Sequence, residues 1–333
     1  MPLSPESLFT QALEAGASDV HLVAGSPVLF RIQGTLTPQK ETMTADSIAS
    51  LIADILRPEQ LERFTKEREM DTAYGLKDGT RLRINCHYEK DHMGLAARLI
   101  PTAVPTLADI RFEEAGMYFC GLEDGLVLFT GPTGTGKSTS LAAMIAHILH
   151  EKPVNVITLE DPIEFLFADT GKGVVRQRQF GTDFLSFPEA LKHTLRQDPD
   201  VIMVGEMRDP ETIAATLTLA ETGHLVLATL HTPNAVQSIT RIVDVFPAHQ
   251  QNQIRSQLAL SLRGVIAQRL LPRKDGGRVA QREVMTITPA VSNIIRENRL
   301  HELISVLQTG GKHGMCTFEQ DRERLEKEGL VES

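Results

Sequence analysis

Gly131, Gly136, Lys137 and Ser138 stand at the G-x-x-x-x-G-K-[ST] spacing inside "LVLFTGPTGTGKSTSLAAMIAHIL". Backbone N–H groups of such a loop can turn inward around phosphate oxygens, and a helix that follows presents its positive end to them. Lys137 then reaches the β/γ-phosphates and Ser138 can ligate Mg²⁺. The candidate phosphate-binding set is Gly131, Thr133, Gly134, Thr135, Gly136, Lys137, Ser138 and Thr139. A Gly-rich turn that merely precedes a helix is the plainer alternative. The apolar run Leu126 to Phe129 before the loop and the apolar helical pattern from Leu141 to His150 after it argue against that alternative.

A triphosphate hydrolase also needs a carboxylate to orient or deprotonate water. "VITLEDPIEF" supplies Glu160, Asp161 and Glu164, and "DPDVIMVGEMRD" supplies Glu206 after a hydrophobic run. Many P-loop enzymes carry a magnesium-holding Asp at the position of Gly205, so metal contact passes to Ser138 and, partly through water, to Glu206. "LATLHTPN" places His231 and Thr232 past another apolar run, where a histidine can donate to a phosphate oxygen. His193, His224 and His313 lack any metal-ligand spacing. Arg83 and Arg98 lie far from the loop in sequence. They could serve a neighbouring subunit's γ-phosphate, with Arg208 and Arg196 as further candidates.

These groups need a scaffold that gathers them. From about residue 113 the pattern runs strand, loop, helix: "GLVLFT", "VNVITL", "DVIMVG" and "HLVLATL" each end in polar residues, as at the carboxyl edge of an α/β sheet. The first hundred residues read as a small α+β domain. Ser4 and Pro5 start a helix that Gly16 closes, Thr44 caps a second helix carrying Ile48, Leu51, Ile52, Ile55 and Leu56, and "RLRINCHY" and "MGLAARLI" alternate as strands. "PTAVPTLADIRF" breaks both periodicities. The expected division is therefore 1–100, a linker at 101–112, and 113–333, with C-terminal helices from about 290. Residues 248 onward read as mostly helical, with "AHQQNQIRSQLALSLRGVIAQRLL" the longest periodic stretch and "PRKDGGR" a surface turn.

Composition narrows the classes. The 333 residues are 41% hydrophobic and 23% charged, ordinary for a soluble globular chain of about two domains. No apolar run approaches a membrane span, and the N-terminus lacks the pattern of a secretory signal, so a cytoplasmic location is expected. Cys86, Cys120 and Cys316 are too far apart in sequence to suggest a zinc or dithiol motif. A net charge of −9, no tryptophan and three tyrosines weigh against direct nucleic-acid binding.

"GPTGTGKST", "LEDPIEF", "VGEMRD" and "ETGHLVLATLHT" together, in this order and spacing, resemble the secretion ATPase superfamily, as its Walker A, Asp box, Walker B and His box. Over almost its full length the chain is similar to the type IV pilus retraction ATPases, the PilT family. "GASDVHLVAGSPVLFRIQGTL" resembles that family's N-terminal opening; "IVDVFP", "SLRGVIAQRLLPRKDGG" and "HGMCTFEQ" resemble its C-terminal half. The resemblance implies a RecA-like P-loop core, a PAS-like N-terminal domain and a homohexameric ring using ATP and Mg²⁺. It implies a motor that acts on an inner-membrane platform protein, and through it on pilin, from the cytoplasmic side. By motif, Lys137 and Ser138 hold phosphate and magnesium, Glu164 is the preferred catalytic carboxylate, Glu206 supports metal and water, and His231 senses the γ-phosphate. Arg83 and Arg98 match arginines of the N-terminal domain that contact nucleotide. Pilus assembly and type II secretion ATPases are similar too, but they usually carry a longer N-terminal region and a four-cysteine zinc insertion. One departure concerns the family's Ala-Ile-Arg-Asn-Leu-Ile-Arg-Glu motif, which reads "AVSNIIRE" at 290–297. It leaves open an accessory retraction ATPase; a secretion or DNA-transfer ATPase on another membrane machine is a separate enzyme alternative. A nucleotide-gated scaffold is the non-enzyme alternative.

Overall fold

The Ser4 hydroxyl accepts a hydrogen bond from the Ser7 N–H at 3.2 Å, and Pro5 sets the first turn, so α1 (Pro5–Glu14) begins where the sequence places a cap. The protein is described here from a computed structural model covering residues 3–32, 34–100, 104–167 and 172–332. Two compact units divide it: Met1–Ala103 with Glu164–Leu166, and Val104–Ile163 with Phe167–Ser333. Of the expected linker, 101–103 lie outside the described residues.

In the N-terminal unit α1 is followed by β1 (Ala17–Leu22), β2 (Pro27–Ile32), β3 (Thr35–Thr42), α2 (Ala45–Ile55), α3 (Pro58–Glu67), β4 (Glu69–Gly75), β5 (Arg81–Glu89) and β6 (His92–Ile100). The strands form one antiparallel sheet ordered β3-β2-β1-β6-β5-β4. Period-two alternation sends Leu82, Ile84 and Cys86 into a core shared with Leu8, Phe9, Ile48, Leu51, Ile52 and Phe64 of the helices. Arg83 stays exposed between them. Thr44 caps α2, accepting from the Ser47 N–H at 3.1 Å.

The second unit runs α4 (Glu113–Gly121), β7 (Gly125–Thr130), α5 (Lys137–Glu151), β8 (Asn155–Glu160), β9 (Val174–Gln179), α6 (Phe187–Thr194), β10 (Val201–Val204), α7 (Pro210–Glu221), β11 (Leu225–Leu230), α8 (Ala235–Asp244), α9 (Ala248–Ser261), β12 (Leu262–Pro272), β13 (Arg278–Thr286), α10 (Pro289–Arg296), α11 (Leu303–Thr309) and α12 (Phe318–Lys327). Its sheet order is β13-β12-β7-β11-β10-β8-β9, parallel except for the antiparallel edge strand β13. Strand β8 follows the α5 helix in sequence yet lies two places beyond β7's neighbour β11, the RecA-like arrangement. Both faces are covered. Leu126 and Leu128 face one core, Val127 and Phe129 the other, which is why these strands are unbroken apolar runs.

The expectation of helix from 248 onward fails at Leu262. Helix α9 ends at Ser261, and β12 and β13 form a hairpin through the exposed turn at 273–277. From Leu262 to Gln268 only Arg263 is not buried, because β12 sits between β7 and β13 with both faces covered; no helical stripe fits that burial. At Gly264 a Cβ would lie 2.2 Å from the Phe119 ring, so the strand passes α4 too closely for any side chain. C-terminal helices begin with α10 at Pro289.

Candidate active site at the carboxyl edge of the second sheet

Strand β7 is buried along its length and delivers the chain into the loop 131–136. The loop closes on itself. Lys137 Nζ donates to the carbonyls of Gly131 at 2.6 Å and Pro132 at 3.0 Å, and the Thr135 hydroxyl donates to Pro132 O at 2.9 Å. Gly131 has φ 145°, and a Cβ there would sit 2.4 Å from the carbonyl oxygen of Gln268, so only glycine fits. No side chain caps α5 at Gly136. An anion at that helix start would meet backbone N–H groups and the positive end of a 15-residue helix. Ser138 and Thr139 are half-buried in its first turn, and Thr133 and Gly134 are exposed at the loop tip.

Neighbouring strands bring the acids. Register pairs Val204 with Leu159 and with Ala228, and Leu230 with Thr130, so the ends of β8, β10, β11 and β7 line one edge. Glu160 is buried, accepting from the Thr158 hydroxyl at 2.7 Å and from Gln177 Nε2 at 3.2 Å. Glu206 is half-buried and held from two sides: Arg208 Nη2 lies 2.7 Å from Oε2 and His231 Nε2 lies 3.1 Å from Oε1. Burial alone would raise the Glu206 pKa, but Arg208 and His231 outweigh it and keep the carboxyl below its ordinary range. Hydrogen bonding to Glu206 in turn raises the Arg208 pKa. Asp161 is exposed, 3.8 Å from Arg208 Nη1. Glu164 is exposed in the irregular segment after β8. The structure thus joins Glu206 and Asp161 through Arg208, with His231 on the other oxygen of Glu206; the sequence offers Arg208 only as a further arginine candidate. Its place two residues beyond Glu206 was the available signal.

The glycine at position 205 has a packing cause. A Cβ there would lie 2.9 Å from the Leu159 carbonyl oxygen and 3.3 Å from Glu160 Cα, while the Gly205 N–H donates to that same carbonyl at 2.8 Å. An aspartate would force β10 away from β8.

In the N-terminal unit, Arg83 and Arg98 are directly opposed across β5 and β6. Arg98 faces Asp19 on β1, and Asp19 faces Arg31 on β2. Three arginines and one aspartate therefore form a single row across four strands. Arg98 Nε lies 2.9 Å from Asp19 Oδ1 and Arg31 Nε 3.9 Å from Oδ2. Burial raises the Asp19 pKa, yet the Ser18 hydroxyl and Arg98 bring it below the usual carboxylate value. Arg83 has no hydrogen-bond or ion-pair partner among the described residues. Like charges directly opposite are unfavourable, so the row keeps uncompensated positive charge at Arg83.

Residues 119–287 match the family model described as "Type II/IV secretion system protein". The type IV pilus retractation ATPase PilT of Pseudomonas aeruginosa is 42% identical over 325 residues, covering 97% of this chain and 94% of that protein. A twitching motility protein of Neisseria gonorrhoeae is 40% identical over 97% of this chain and 87% of its own length. Among solved structures, the pilus retraction motor PilT with bound ADP superposes with a TM-score of 0.93 at 40% identity, covering 99% of this chain and 95% of that one. The chain belongs to the PilT family.

As a member of the PilT family it is a P-loop ATPase that binds nucleotide. A cleft of about 1190 Å³ lies elsewhere in the second unit, lined by Arg111, Phe112, Tyr118, Arg282, Lys312 and Arg324 among others, and contains none of the phosphate-loop residues or edge acids. Sequence reasoning missed Gln268. It sits on β12, donates from Nε2 to Thr135 O at 2.7 Å and accepts from Ser140 Oγ at 2.9 Å. The stretch "SLRGVIAQRLLPRKDGG" contains it, but nothing in that stretch tells its role, since its position beside the loop follows from strand pairing. Among the described residues no helix is long and apolar enough to cross a membrane.

Proposed function

We propose that this chain is the ATP-hydrolysing subunit of a homohexameric ring motor that retracts type IV pili. The observation that carries the reading is the gathering of the phosphate loop, Glu206 and His231 along one sheet edge, in a chain 42% identical to a pilus retraction ATPase over nearly its whole length. In this reading the loop N–H groups and Lys137 hold the polyphosphate. Glu164 orients or deprotonates the attacking water, His231 reports the γ-phosphate, and Arg83 and Arg98 reach a neighbouring subunit's nucleotide. Residues 1–100, 101–112 and 113–333 are assigned as domain, linker and ATPase domain.

Mg²⁺ fits these residues as a nucleotide-borne ion. Ser138 offers one side-chain oxygen beside Lys137, and Gly205 offers no side-chain oxygen. With Arg208 on one Glu206 oxygen and His231 on the other, Glu206 would support the ion through water. Bound there, the ion neutralises charge between the terminal phosphates. The motor works at the cytoplasmic face, on an inner-membrane platform protein and through it on pilin.

Ser292 favours a second reading, that of an accessory retraction ATPase. It stands half-buried on α10 where the family motif carries arginine, while Val291 keeps that helix packed and Arg296 keeps the motif's second arginine exposed. Phosphate release by the purified protein, with Lys137→Ala and Glu164→Gln as controls, tests the chemistry; turnover indifferent to both substitutions removes the assigned site. Deleting the gene leaves cells piliated and unable to twitch if the chain is the motor. Normal twitching after deletion, with a defect only when a second retraction ATPase is weakened, assigns the accessory role.

A further inference from the structure

Gln268 stands between two structures that otherwise share no motif. Its backbone carbonyl is the atom that excludes a side chain at Gly131, and its amide would meet a Cβ at Gly136 at 2.9 Å, so β12 lies against both ends of the phosphate loop. Both ends of its carboxamide are engaged. Nε2 donates to Thr135 O at 2.7 Å; Oε1 accepts from Ser140 Oγ at 2.9 Å and from Arg282 Nε at 3.3 Å. Arg282 is buried and, among the described residues, its guanidinium hydrogen-bonds only neutral acceptors, also reaching Arg111 O at 3.1 Å and Ser140 Oγ at 3.4 Å, 4.6 Å from the Phe112 ring centroid. Its own N–H donates to Asp321 of α12 at 2.7 Å.

The Thr135 carbonyl decides how the loop turns. Thr135 precedes Gly136, whose φ of 84° starts α5, and a carbonyl pointing into the cradle would repel phosphate. Gln268 draws that carbonyl toward β12. We propose that Gln268 is a positioning residue of the phosphate loop, fixing the Thr135–Gly136 peptide for anion binding through its amide donor and tying it, through Arg282, to the C-terminal helix α12. The inference rests on the reading of the loop as the ATP site.

The test measures equilibrium binding of ATP with magnesium, and steady-state hydrolysis, on the full chain and on Gln268→Met, Gln268→Glu and Ser140→Ala. Both Gln268 variants lose the donor to Thr135. Gln268→Glu gains a charge partner for Arg282, so it stays folded by thermal denaturation. Both raise the nucleotide Kd and KM about tenfold, the loss of one such hydrogen bond, while kcat at saturation stays within about twofold. Because methionine is neutral and glutamate charged, a common loss identifies the missing donor and not a repulsive charge. Ser140→Ala keeps the donor and changes Kd less than about twofold. Wild-type affinity in folded Gln268→Glu, or equal losses from Ser140→Ala and Gln268→Met, overturns the proposal. A wild-type chain that binds no nucleotide, alongside an equally inert Lys137→Ala, overturns the ATP site itself and is told apart by that comparison.

Discussion

Gly205 lies hard against the neighbouring strand just before Glu206, and substituting it tests whether this sheet edge tolerates the aspartate many P-loop enzymes carry there. The Gly205 N–H donates to Leu159 O at 2.8 Å, and a Cβ would stand 2.9 Å from that same oxygen. Gly205→Ala must therefore move β10 or the end of β8 by several tenths of an ångström, loosening a strand pair buried on both faces. Overpacking of this kind costs about 1–3 kcal/mol. For a unit of this size that lowers the melting temperature by roughly 3–10 °C. Gly205→Asp adds a carboxylate beside a carbonyl oxygen and loses at least a further ~1 kcal/mol. Gly121→Ala is the control, since a Cβ at Gly121 meets nothing within 4 Å; its effect stays within about 0.5 kcal/mol. Calorimetry gives the stabilities, and phosphate release shows whether Glu206 has shifted, with turnover falling in Gly205→Ala and again in Gly205→Asp. Should Gly205→Ala melt with the Gly121→Ala control, or Gly205→Asp hydrolyse ATP faster than wild type, the close approach is not what keeps glycine at this position.

Arg208→Ala leaves Glu206 in its burial without its closest cation, so the Glu206 pKa rises from its lowered position. A depressed folded pKa stabilises above the unfolded value and loses that contribution as pH falls through the folded one. The stability gap between wild type and Arg208→Ala, read from urea midpoints, is therefore full above about pH 5 and closes on acidification; a gap that widens toward low pH contradicts the assignment. Asp19→Asn releases Arg98, whose side chain is 71% exposed, and so costs no more than about 0.2–1 kcal/mol by thermal denaturation. Arg83→Ala and Arg98→Ala each lower turnover about 10³-fold or more with little change in melting temperature; losses under about tenfold dismiss them as arginine fingers.

What the sequence makes legible is what repeats locally. Caps at Ser4 and Thr44, alternation through Leu82, Ile84 and Cys86, and the apolar runs of β7, β8, β10 and β11 each follow from a few neighbouring residues. The phosphate loop, Glu206 and His231 are legible because each ends such a run. Helix α3 is hard to read since it buries only Phe64, and β12 reads as a continuation of α9 because leucines and isoleucines satisfy either period when both faces are buried.

The remaining features depend on which strand lies beside which, and that is a property of topology. Gly205 is glycine because β8 is its neighbour, and Gly131 because β12 is; both strands are distant in sequence from the glycine they constrain. The same pairing explains why the sequence alone does not reveal the role of Arg208. Read alone, an arginine four residues past a strand is a candidate for a neighbouring subunit, but the register that sets β8 beside β10 puts Asp161 3.8 Å from it and commits it to its own site. Arg98 illustrates the opposite case: β1 supplies Asp19 as a partner, while Arg83, one strand further along the same row, receives none among the described residues. A row that neutralises one arginine and leaves the next exposed is poorly explained by stability, since exposed like charges gain nothing from facing each other. An anionic partner for the exposed end is the physical reason such a row would be kept.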